Sequence, residues 1–167
     1  MEHQDSLFVF AEISAAFVGF SMIIGALRSQ TQHSKLRQKF MADVALIGLF
    51  VLGGSLLPIV LHANGIAIST TWRASSLALL AMWVAGYWSY LKALRRFNLP
   101  LFAVPLLPKV YVLANPLFVL IGNILLAWNV ILGGDGIAGR YLMALLILLL
   151  IAAFLFLSGG FGEDDAA

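Results

Sequence analysis

Glu12 is a carboxylate inside an apolar stretch, residues 7–27, which reads LFVFAEISAAFVGFSMIIGAL. A carboxylate so placed can bind a cation, carry a proton or orient a ligand amine. Each use requires shelter, because facing lipid costs a charged side chain at least ~2.5 kcal/mol on insertion scales. Helical spacing sets Glu12 beside Ala15, Ala16 and Gly19. Ala11, Ala15 and Gly19 follow one another at four-residue steps, a stripe of small side chains that lets a second helix come close. Glu12 is therefore expected against another helix or a watered cavity.

The other groups with chemical capacity fall on different stretches. Ser55 follows Gly53 and Gly54 and precedes Pro58, whose missing N–H frees the Gly54 carbonyl and favours a kink. His62, Ser75, Ser76, Asn123 and Asn129 complete the set. Asn123 is expected to bond to a neighbouring helix, since an unpartnered amide in an apolar interior is expensive. Asp43 follows Lys39 by four residues, and an ion pair there or with a basic loop is its simplest role.

Several chemistries are excluded. Without cysteine the chain has no disulfide, thiolate metal site, iron–sulfur cluster or cysteine nucleophile. It contains no His-Glu-x-x-His pattern, and His3, His33 and His62 are spread over separate segments, so no metal and no cofactor is expected. No second intramembrane carboxylate pairs with Glu12 for acid–base work, which ranks an enzyme last. Gly133-Gly134-Asp135-Gly136 lacks the lysine and hydroxyl residue of a phosphate loop and reads as a turn. Nothing points to nucleic acid.

The elements that must position these residues follow from composition. The chain is 62% hydrophobic and 11% charged, against about 45–50% and about 25% in soluble domains. The expectation is an all-α integral membrane bundle of five transmembrane helices, over 7–27, 41–61, 74–91, 110–132 and 137–157, in a single polytopic domain spanning 1–167. Each run is close to the ~20 residues a bilayer requires. Eight of the ten basic residues fall between the first and second runs (Arg28, Lys35, Arg37, Lys39) or between the third and fourth (Lys92, Arg95, Arg96, Lys109). Short basic loops stay in the cytoplasm, so the N-terminus is expected outside and the C-terminus inside. The acidic N-terminus lacks the basic region of a signal peptide, so the first run is kept as a permanent helix.

Finer expectations concern placement. Ser34 is a suitable N-cap, so the second helix starts ahead of its apolar run. Trp72 and Arg73 suit an interfacial anchor, and Trp83, Tyr87, Trp88 and Tyr90 an aromatic belt. Three prolines make 97–108 irregular. The fifth run has no polar group in its body and is expected to face lipid, with the first run inside or at a subunit contact.

At ~1.5 Å per residue, Glu12 falls about 8 Å below the outer boundary, near the level of Pro58. Ser55, Ser75 and Ser76 lie at similar depth, Asn129 is shallower and Asn123 deeper. This convergence suggests an outward-facing polar pocket centred on Glu12 and walled by the first four helices. The leading functional expectation is an oligomeric membrane channel or carrier for a small cation or polar solute. The alternative is a non-transporting membrane sensor or assembly partner of another membrane protein. The expected partners are the lipid bilayer, further copies of the chain and a membrane-protein partner. The expected location is the cell membrane as a multi-pass protein, with compact loops suggesting a bacterial plasma membrane.

Overall fold

The computed structural model describes residues 3–27, 34–96 and 109–161, with side chains over 3–26, 41–89, 92 and 115–157. The proline-rich connector 97–108, His33 and the acidic tail lie outside the described residues. The described chain is all helical: α1 (Gln4–Leu27), α2 (Ser34–Ala63), α3 (Ile68–Arg96), α4 (Lys109–Ile131) and α5 (Ile137–Phe161). Three of these helices are long and apolar enough to cross a bilayer, over Gln4–Ala26, Met41–Ala63 and Ile137–Leu157. α4 adds a shorter apolar run, Asn115–Ile131. α3 starts among Ser69, Thr70, Thr71 and Arg73, ahead of the apolar run, which makes it the more polar helix.

The packing order reverses the expectation for the first and last helices. Among the described residues α5 touches all four other helices, whereas α1 touches only α2 and α5. α2, α3, α4 and α5 form a ring in which each packs on the next, and α1 leans on the outside of the α2–α5 edge. Tyr141, Ala144, Leu145, Leu148 and Ala152 of α5 are all buried. The physical reason is simple. Apolarity alone does not separate inside from outside in such a bundle, because lipid tails are as apolar as leucine. Small side chains and buried hydrogen bonds decide which helix goes to the centre, and α5 supplies Ala144, Ala152 and Tyr141.

One contact joins the two helices that everything else leans on. Pro58 has no N–H to give the Gly54 carbonyl, which is therefore short of its helical partner. Tyr141 of α5 fills the gap: its hydroxyl donates to Gly54 O at 2.7 Å, fully buried. A methyl on Gly54 would stand 3.1 Å from Leu145, 3.2 Å from Leu79 and 3.4 Å from the Tyr141 hydroxyl, so a larger residue would crowd that approach. Trp72 packs on the Tyr141 ring at 5.5 Å and 57°. Trp72 is thus a core residue of α3, buried to 3% exposure, and not the interfacial anchor its position suggests. Trp83 is buried too, its ring pressed against the bare backbone of Gly122 on α4. Of the expected belt, Trp88 is well exposed, at 58%, Tyr87 is half-buried, and the Tyr90 side chain lies outside the described residues.

Replacing Tyr141 by phenylalanine leaves a buried carbonyl unpaired and should destabilise the bundle by about 1–3 kcal/mol. In a Pro58→Ala background the restored N–H can bond Gly54 O itself, so the same substitution should cost measurably less. Unfolding of the four variants in mixed micelles measures that coupling. Equal costs in both backgrounds would contradict the contact.

Candidate functional site

The helices joined by tight turns, 64–67 and 132–136, define one end of the bundle, and most of the sequence-nominated residues lie towards it. There Asn129 of α4 is fully buried. Its Nδ2 donates to Ser76 Oγ at 3.2 Å and to Ile137 O at 2.9 Å. Its Oδ1 accepts from Arg140 Nε at 2.7 Å. Arg140 also donates through Nη1 to Asp135 O at 3.0 Å and through Nη2 to Gly133 O at 2.6 Å. Arg73 reaches across from α3 to Leu132 O at 3.4 Å. The last carbonyls of a helix lack intrahelical partners and attract cations. Two arginines therefore close the end of α4 over a turn whose Gly133, Gly134 and Gly136 have φ of 61°, 77° and 77°. Gly133 sits directly under the Arg73 guanidinium, where a side chain would clash.

The remaining nominated groups mostly turn inward on their own helices. Ser55 is buried and bonds Val51 O at 2.7 Å. Asn123 donates to Val119 O at 2.8 Å on its own helix, rather than across to a neighbour, and its Oδ1 is buried without a partner. Ser75 Oγ is likewise buried and unpartnered. His62 is exposed, with Nδ1 3.4 Å from Ile66 O at the turn into α3. This end carries a packed polar cluster, with Arg73 and Arg140 bonded over the turn after α4.

Glu12 is not brought to these groups. α1 touches neither α3 nor α4, and Glu12 is exposed with no hydrogen bond or ion pair among the described residues. The small-residue stripe splits as well. Ala11 is buried, while Ala15 and Gly19 are exposed, because each four-residue step rotates by about 40° around the axis.

Space for a ligand opens at the other end, inside the ring. Among the described residues α2 and α4 face one another there without close backbone contact. The cleft between them measures about 630 Å³ including its mouth. Its walls are apolar, with Phe50 and Ile47 from α2, Trp83 from α3, Val119 from α4, and Leu148 and Ile151 from α5. Three polar side chains reach it: Asp43, Tyr87 and Asn115. Asp43 and Tyr87 each also engage a neighbour within the protein. Asn115 Oδ1 is buried and has no partner. A carboxylate and an amide oxygen make the cleft a set of acceptors in an apolar wall, which suits a ligand with N–H or O–H donors on an apolar body.

Comparison with protein-family models, with curated proteins and with solved structures gives no match to this chain.

Sequence reasoning missed Tyr141, Arg140 and the cleft. The first two carried a signal: a carbonyl freed by Pro58 needs a donor, and a helix ending in Gly-Gly needs a cation. The cleft carried none, since it arises from two helices that fail to meet. Asn129→Leu would strand Ser76, Ile137 O and the Arg140 guanidinium together. A loss of about 2–3 kcal/mol is expected in detergent unfolding. A change under half of that would show the cluster to be incidental.

Proposed function

We propose that this chain is a multi-pass membrane protein that binds a small amine with an apolar body in the cleft between α2 and α4, as a carrier. The observation behind the proposal is the cleft itself: apolar walls from four helices, with Asp43 and the unpartnered Asn115 Oδ1 as acceptors. An ammonium donates to both kinds of oxygen, and its apolar body fits the Phe50, Trp83 and Leu148 walls.

The membrane part of the proposal draws on three long apolar helices and on the charge of the connections. The two basic connections join α1 to α2 and α3 to α4, hence the same end of an up-and-down bundle. With all five helices spanning, that end is cytoplasmic, the N-terminus is outside, and the cleft opens towards the cytoplasmic half. The exposed carboxylate of Glu12 supports a second role for the same chain, as one subunit of a larger membrane assembly.

Phenethylamine binding to the full chain in lipid nanodiscs tests the cleft, with empty nanodiscs as the partition control. Quenching of tryptophan fluorescence is expected for the wild-type protein. Asp43→Asn should weaken binding by about tenfold or more, and Leu148→Trp should fill the cleft and abolish it. Ethylbenzene, which lacks the ammonium, should bind far more weakly. Equal binding by all three proteins, or none by the wild type, would overturn the proposal. Amine-dependent uptake into liposomes then separates a carrier from a sensor.

A further inference from the structure

α1 presents more unpartnered surface than the other long apolar helices: 22% of its apolar window is buried, against 33% for α2 and 50% for α5. Leu7, Ala11, Ser14 and Ser21 face the bundle. Phe8, Glu12, Ala15, Ala16, Gly19 and Ile23 face away, and Glu12 lies at the centre of that free face. Residues 8, 12, 15, 19 and 22 recur at alternating steps of four and three, the spacing of a helix-pairing seam. Nothing lies within 4 Å of a Cβ built on Gly19, so the seam is open at its smallest residue.

The level of Glu12 in the bundle follows from two contacts with α2. A methyl on Gly25 would stand 3.6 Å from Met41 Cβ, and one on Gly48 would meet Val18 at 2.7 Å and the Ser14 carbonyl at 3.3 Å. α1 and α2 run antiparallel, so these contacts set Glu12 level with about Gly53, the middle of the Met41–Ala63 span. This is more than a turn deeper than the Pro58 level expected from the sequence. It is the depth at which a lipid-facing carboxylate is least tolerable.

We infer that α1 pairs with α1 of a second copy about a twofold axis, with the two Glu12 carboxyls facing each other across it. The inference rests on the membrane-spanning reading and is independent of the cleft. A second copy has little else to offer at this depth. Among the described residues its exposed charges are Asp5, Arg73, Lys92 and Asp135, all towards helix ends or turns. Carboxyl groups are self-complementary when they hold one proton between them, since one donates and the other accepts. A parallel twofold pair puts them at equal depth, and Ala15, Ala16 and Gly19 let the backbones approach.

The chain has no cysteine, so single-cysteine variants report position cleanly. Full-length protein in liposomes, oxidised with copper-phenanthroline, should cross-link to twice its mass through Ala16→Cys. The control Leu77→Cys, on the exposed side of α3, should not. Adding Glu12→Leu should cut the Ala16→Cys yield by about tenfold, the upper range for one interhelical hydrogen bond in lipid. Glu12→Gln should keep it, because carboxamides also pair with each other. Cross-linking that is absent, equal at both positions, or insensitive to Glu12→Leu overturns the twofold pair. So does a product at another mass, which would reveal a different partner. Alkaline carbonate extraction of the same membranes tells the two failures apart. Protein that is extracted defeats the membrane reading, and protein that is retained without cross-linking defeats the pair alone.

Discussion

The bundle depends on a backbone carbonyl that its own helix cannot satisfy. Pro58 takes the donor away from Gly54 O, and the Tyr141 hydroxyl supplies one from α5 at 2.7 Å. In an apolar interior an unpaired carbonyl has no water to fall back on, so the pairing fixes which face of α2 meets α5 and at what height. The neighbours then follow. Leu79 and Trp72 of α3 close over the same spot, and Leu145 seals it from α5. α4 is held by a second polar device, the Asn129 bonds to Ser76, Ile137 and Arg140. Hydrogen bonds between helices thus run from mid-bundle to its tight-turn end.

The opposite end is built differently. There the described residues of α2 and α4 stay apart, and the gap between them is lined mostly by side chains without hydrogen-bonding groups. One end is tied by hydrogen bonds between helices and the other holds the cleft on which the proposed binding rests. α1 stands outside this division of labour. Its inner face uses small residues to lie close on α2, and its outer face carries Glu12 with no partner among the described residues. The cleft and the α1 face lie on separate parts of the molecule, so the proposed ligand binding and the proposed pairing can be tested separately.

Much of this architecture could be read from residue order, and some of it could not. Long apolar runs with few charges announce the helices, and Ser34 marks an early start for α2. The freed Gly54 carbonyl was visible from Pro58 alone, but its donor lies 87 residues away, and no local pattern names it. The inversion of α1 and α5 has a clear cause. A helix without polar groups satisfies lipid and protein interior equally, so its position is set by shape, and shape appears only when helices are packed. The Ala11, Ala15 and Gly19 stripe failed as one surface because a four-residue step outruns the helical turn. Asn123 turned back on Val119 because a carbonyl on its own helix was within reach. Asn129 and Ser76 meet although residue counting puts Asn129 at a shallower level, and Glu12 sits elsewhere.

The order of the helices stands most directly on the pairing of Tyr141 with Gly54. Solid-state NMR of the protein in lipid, labelled with ¹³C at glycine carbonyls and at tyrosine Cζ, reads it without perturbing the fold. A direct carbon–carbon transfer between Gly54 C′ and Tyr141 Cζ, with the Gly54 carbonyl shifted as a hydrogen-bonded group, is the expected result. A Gly54 carbonyl at its unbonded shift with no transfer to any tyrosine would contradict the helix order built on it.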